Sequence, residues 1–194
     1  MQDRHVSPGR MNLFSDAVIA VVITLMVLEL KPPEHPSLAA LAPLWPTGIS
    51  YAVSYLFIAI IWMNHHHLMR FVRHASPKLL WLNFAHLFAV SLLPFATGWM
   101  ADTRLAPTPV AIYAAVFVVV DLAYLTFERA VIRQADVADF PERARHLARR
   151  RTLATVTIFA TAIPVALLAP WLAFAMICAA LTLYLKPEAP GMGR

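Results

Sequence analysis

The chain has 194 residues, of which 60% are hydrophobic and 14% charged, with a formal net charge of +5. Soluble domains carry about 45–50% apolar and about 25% charged residues, so this composition excludes an ordinary soluble fold and points to an integral membrane protein. The basic residues sit beside apolar runs rather than on a polar face, which argues against nucleic acid, and the single cysteine, Cys178, excludes an intrachain disulfide or a cysteine-based metal site.

A hydrocarbon core of about 30 Å takes about 20 residues per helix. Six spans are predicted in one domain covering residues 1–194: 12–31, 47–69, 78–100, 108–128, 152–168 and 171–185. The opening residues, MQDRHVSPGRMNLFSD, have no small-residue cleavage site after a short apolar core, so the first span is expected to stay in the mature protein.

The first span contains FSDAVIAVVITLMVLEL, Phe14 to Leu30, with polar residues that anchoring in lipid does not require: Ser15, Asp16, Thr24 and Glu29. An ionised side chain at mid-membrane costs about 2.5–3.5 kcal/mol on insertion scales unless it is paired or faces water. Asp16 has two readings, a cap on the free N–H groups of a helix start or a partner for a group on a neighbouring helix. Thr24 either returns its hydroxyl to the carbonyl one turn back or presents it to something polar. Glu29, next to Lys31, reads as half of a solvated pair or as a charge that gathers cations at a mouth.

The loop that follows holds Pro32, Pro33, Pro36, Pro43 and Pro46 and cannot continue a helix. Span two ends in Trp62-Met63-Asn64-His65-His66-His67. Consecutive imidazoles point about 100° apart on a helix and cannot all chelate one metal. His67 is therefore expected at the interface, and His65 or His66 near a carboxylate at the depth of Asp16. Span three carries Trp81-Leu82-Asn83 near its start and Pro94 within it, where a kink is expected. Asn83 can join the same polar network, while Trp81 also reads as a simple interfacial aromatic. Spans five and six form a hairpin through Leu168-Ala169-Pro170-Trp171, with Pro170 suited to the first turn of the last helix.

Lys and Arg set the orientation. Arg4 and Arg10 precede span one, Arg70, Arg73 and Lys78 separate spans two and three, and seven arginines from Arg129 to Arg151 separate spans four and five. The other connections hold only Lys31 and Arg104, so both termini are expected on the cytoplasmic side of the cell membrane. Within 129–151 either a solvated connection or an amphipathic cytoplasmic helix is expected.

Together these residues resemble a known family. Arg10-Met11-Asn12-Leu13-Phe14-Ser15-Asp16 is similar to the R-x-x-x-F-S-D signature of the bacterial branch of the transmembrane protein 175 potassium channels. Trp62-x-x-His65-His66, Trp81-Leu82-Asn83 and Leu93-Pro94-Phe95-x-Thr97 follow in the order of that family's pattern. The resemblance implies an all-α subunit of six transmembrane helices, assembled as a homotetramer around a pore lined by the first helix. It implies a modestly selective potassium-permeable channel, with K⁺ as permeant ion, no catalytic residues, no metal and no cofactor. The constriction positions fall on Val21, Thr24 and Leu28, whose spacing also places them on one helical face. Arg10, Phe14, Ser15, Asp16, His65, His66, Trp81 and Asn83 carry the signature network.

No carbonyl filter is expected, because Gly9, Gly48, Gly98, Gly191 and Gly193 lie in no TVGYG-like loop. Two residues depart from the family pattern: Val21 is smaller than the usual leucine or isoleucine, and His86 stands where aliphatic residues prevail. The competing reading is a small membrane redox protein that uses His65, His66 and His86 to hold a haem or metal. A secondary transporter is a further alternative, disfavoured by the lack of an internal inverted repeat or broken helices.

Overall fold

In the computed structural model, which describes residues 7–134 and 142–185, proline sets most of the helix starts. Its fixed φ suits the first turn, where the missing N–H breaks no hydrogen bond. It occupies the first turn of α1 (Pro8–Leu25), α2 (Trp45–Met69), α3 (Pro77–Ser91), α4 (Leu93–Asp102) and α5 (Pro107–Ile132). After α6 (Glu142–Leu168), Pro170 also opens α7 (Pro170–Leu185). Ser7 and Ser76 cap α1 and α3, their hydroxyls accepting from the N–H groups of Arg10 and Leu79, each at 3.3 Å.

The fold is all-α, with no strand among the described residues, and the chain is a multi-pass membrane protein. Five helical segments are long and apolar enough to cross a membrane: Pro8–Glu29, Leu38–Met69, Pro77–Asp102, Pro107–Ile132 and Arg149–Leu168. The sixth, Pro170–Leu183, is shorter. Span three is two helices, α3 and α4, broken at Leu92 two residues before Pro94. The kink therefore appears as a helix end and a new first turn.

The chain departs from the sequence reading at several ends. Helix α1 begins at Pro8 rather than near residue 12 and finishes as a 3₁₀ turn, Met26–Glu29. The proline-rich loop contains a 3₁₀ segment, Leu38–Leu44, that leads directly into α2. Helix α6 is continuous from Glu142 through the fifth span, so the arginine-rich stretch preceding that span belongs to the same helix. Arg4 and positions 135–141 of the expected cytoplasmic segment lie outside the described residues. Between α4 and α5, Arg104 and Leu105 hold positive φ values of 51° and 62°, a conformation costing non-glycine residues about 1–2 kcal/mol each. Burial of the Leu105 side chain and its N–H bond to the Met100 carbonyl at 2.9 Å offset that cost.

Aromatic packing joins α2, α5 and α6. The Phe57 ring lies 4.5 Å from Phe117 and 5.7 Å from Phe159, and Phe117 lies 5.0 Å from Phe159. Fully buried Ala114, Ala162, Ala166, Ala173 and Ala180 let α5, α6 and α7 approach closely, the small-residue packing that lipid-embedded helices favour. Helix α1 packs against α2, α3 and α4 on the other side of the bundle.

A buried polar trio ties α2, α4 and α5. Thr97 donates its hydroxyl proton to the Leu93 carbonyl at 2.7 Å, so its oxygen accepts from Ser54 at 2.8 Å. Ser54, its proton spent, accepts from the Tyr113 hydroxyl at 2.7 Å. Each bond contributes about 0.5–1.5 kcal/mol net. Tyr113→Phe is expected to lower the thermal unfolding midpoint of the detergent-solubilised protein by about 2–4 °C. An unchanged midpoint would show that the trio does not hold these helices together.

Candidate functional site

Helix α1 is divided lengthwise. Met11, Ser15, Ile19, Val22 and Met26 are buried, a stripe at three- and four-residue spacing that faces α2, α3 and α4. On the other side Val21 is 55% exposed, Leu28 is 69% exposed and Thr24 is exposed between them. The Thr24 hydroxyl donates to the Val21 carbonyl at 2.8 Å. With that proton committed, the oxygen turns only lone pairs outward.

The buried stripe is fastened by a directional hydrogen-bond chain. Ser15 Oγ donates to the Met11 carbonyl at 2.9 Å and so can only accept from Asn83 Nδ2, at 2.8 Å. Asn83 thereby presents its Oδ1 to His65, whose Nε2–H donates at 2.8 Å. All three side chains are buried. The chain runs from α1 through α3 to α2 and fixes His65 as the Nε2–H form. His65 is held flat between two rings, Phe127 at 5.5 Å and His86 at 5.8 Å, tilted by only 10° and 5°.

Asp16 stands eight residues into α1, so the capping role open to it in the sequence passes to Ser7. It is a half-buried partner: Trp62 Nε1 donates to Oδ1 at 2.9 Å and Asn12 Nδ2 to Oδ2 at 3.1 Å. His66 Nδ1 lies 4.0 Å from Oδ2, and its ring stacks on Trp62 at 5.3 Å. The two histidines thus divide the work, His65 on Asn83 and His66 beside Asp16, while His67 is exposed.

Not every signature residue joins this centre. Arg10 is exposed and enters no side-chain hydrogen bond or ion pair among the described residues. Trp81 is also exposed and meets Phe84 edge-on at 6.1 Å, with Phe14 edge-on to Phe84 at 5.6 Å. These rings form an aromatic strip on the outside of α1 and α3.

Among the described residues no three His, Cys, Asp or Glu side chains converge as a metal site. The near-parallel stacking of His65 on His86 points their in-plane lone pairs side by side rather than at a common centre. Beyond the C-terminal end of α1 Lys31 pairs with Asp102 at 2.8 Å, linking the segment after α1 to the end of α4. The Asp102 hydrogen bond and charge raise the Lys31 amine above its ordinary value. The pair is therefore complete at neutral pH and is lost only as pH rises through that raised value. Glu29 lies over Gly98, where an added Cβ would collide with its carboxylate.

Three contributors escaped the sequence reading as site residues. Asn12 and Trp62 hold Asp16. Asp121, a lone acid inside Val118-Val119-Val120-Asp121-Leu122, accepts from Thr155 at 2.8 Å. The insertion cost that singled out Asp16 applies equally to Asp121 and would have found it.

Comparison with known proteins identifies relatives of this chain. The family described as the endosomal/lysosomal potassium channel TMEM175 matches residues 10–94, which span the whole hydrogen-bond chain. A potassium channel of Chryseobacterium sp. (strain P1-3) is 41% identical over 128 residues, covering 66% of this chain and 67% of its own. A potassium channel of Streptomyces collinus is 35% identical over 124 residues, 60% of each chain. The crystal structure of a lysosomal potassium-selective channel TMEM175 homologue from Chamaesiphon minutus superposes with a TM-score of 0.76 at 24% identity, covering 91% of this chain and 95% of that one, which establishes a shared fold.

Asn83→Leu strands the Nε2–H of His65 and removes the donor to Ser15 in a buried setting, at about 1–3 kcal/mol for each unsatisfied group. The unfolding midpoint is expected to fall by about 4–8 °C, and by less for Asp16→Asn, whose half-buried carboxylate keeps one acceptor oxygen. An Asp16→Asn variant less stable than Asn83→Leu would reverse the ranking of the two anchors.

Proposed function

We propose that this chain, which belongs to the TMEM175 family of endosomal/lysosomal potassium channels, forms a modestly selective potassium-permeable pore in the cell membrane. The family is one of ion channels, not enzymes. In this reading four copies surround one axis, both termini are cytoplasmic, and the free face of α1 is the pore wall.

The observation that carries the proposal is the division of α1: a helix anchored by three buried polar side chains leaves Val21, Thr24 and Leu28 exposed. Rings of Val21 and Leu28 resist hydration and can gate by dewetting. A ring of Thr24 oxygens, each with its proton returned to the backbone, offers lone pairs in partial exchange for the water a cation sheds. Such a site uses few oxygens, which supports modest rather than stringent selectivity. Leu28 lies in the 3₁₀ turn and is bulkier than Val21, so we place the tighter ring there. The exposed strip of Phe14, Trp81 and Phe84 supplies an aromatic surface for contact with neighbouring copies or lipid.

Purified protein of known oligomeric mass, reconstituted in liposomes, tests this reading through K⁺ and Na⁺ flux. Leu28→Ala is expected to raise K⁺ flux by widening the apolar ring. Thr24→Val is expected to lower the K⁺ over Na⁺ ratio by about two- to fivefold, the worth of one weak oxygen contact. Wild-type flux and ratio in both variants would overturn the pore assignment.

A further inference from the structure

Asp121 is not part of the proposed ion path, yet it places a carboxylate inside a membrane-spanning helix. It lines a cavity of about 40 Å³ walled by residues of four helices. The polar wall comes from Asn64 on α2, His86 on α3, Asp121 and Tyr124 on α5 and Thr152 on α6, and the rest is apolar. His86 is 0% exposed, and among the described residues neither of its ring nitrogens makes a hydrogen bond of normal geometry, the Val120 backbone offering one of them only a weaker polar contact.

A buried imidazole nitrogen left without a well-formed hydrogen bond costs about 1–3 kcal/mol. A water molecule takes about 10–15 Å³ of cavity and two to four polar partners, and this site provides both. It is too small for an organic ligand, and two titratable side chains fall short of a metal site. We propose that the cavity is a water-binding site that links His86 on α3 to Asp121 on α5. The water accepts a hydrogen bond from the imidazole N–H or donates one to the unprotonated nitrogen, according to which faces it, and donates another to the Asp121 carboxylate.

The consequence reaches the anchor of α1. His86 stacks within 5° of parallel on His65 at 5.8 Å, and His65 donates to Asn83. Hydration therefore makes His86 a positioning residue: held from behind by water, it fixes the plane of His65 and the direction of its Nε2–H. Neither the site nor this role depends on ion permeation.

An experimental structure at a resolution that shows ordered water, with thermal midpoints and ¹⁵N spectra of histidine-labelled protein, provides the test. Water density within hydrogen-bond reach of both His86 and Asp121 is expected. His86→Leu is expected to lower the midpoint by about 3 °C or more and to move the His65 Nε2 signal. His86→Gln, which keeps a donor and an acceptor, is expected to do much less of both. A dry cavity in the wild-type map, or a His86→Leu midpoint at or above wild type, would overturn the water site. An unmoved His65 signal in His86→Leu would overturn the positioning role.

Discussion

The position of α1 depends on one buried hydrogen-bond chain, Ser15 to Asn83 to His65. In lipid there is little hydrophobic force to press one apolar helix against another, so packing and buried polar contacts decide which face turns inward. The chain has a single direction because its first proton is committed to the Met11 carbonyl. Rotating α1 would break it and leave buried donors and acceptors unpaired. That penalty fixes the azimuth of the helix, and the azimuth determines which side chains remain on its free face.

The same polar logic recurs along the bundle. Toward the N-terminal end of α1 Asp16 adds Trp62 and Asn12 to the anchor; deeper in the bundle Ser54, Thr97 and Tyr113 secure α2, α4 and α5. Past the C-terminal end of α1 Lys31 and Asp102 link the following segment to α4. Helix α1 is thus tied at both ends while Val21, Thr24 and Leu28 stay exposed and outside these polar anchors. In the proposed channel this separation matters: a pore-facing side chain can change size without disturbing the contacts that place the helix.

Much of this was legible in the residues because membrane burial makes polar groups expensive and therefore conspicuous. Ser15, Asp16, His65, His66 and Asn83 stood out for that reason, and the structure brings them together as two adjoining clusters. The helix ends were less legible. Ser7-Pro8 is a strong cap and first turn, yet the apolar pattern begins several residues later, which hides the start of α1 and makes Asp16 resemble a cap. Glu29 and Lys31, neighbours in sequence, have different partners, because the 3₁₀ turn carries Glu29 over Gly98 and releases Lys31 toward Asp102. No local pattern encodes a partner 71 residues away. The apparent metal ligands His65 and His86 prove to be stacked rings, a relation that depends on the α2–α3 packing and not on spacing.

The central claim, that the free face of α1 lines a permeation path, is tested most directly by chemical access from the aqueous phase. Cys178 is the chain's one cysteine, so Cys178→Ala provides a thiol-free background for a single cysteine at position 24. Liposomes carrying Thr24→Cys in that background are treated with a small charged thiol reagent while K⁺ flux is followed. Rapid loss of flux, restored by a reducing agent and absent in the thiol-free background, is the predicted result. Flux that persists after the position 24 thiol has been fully modified would contradict the account.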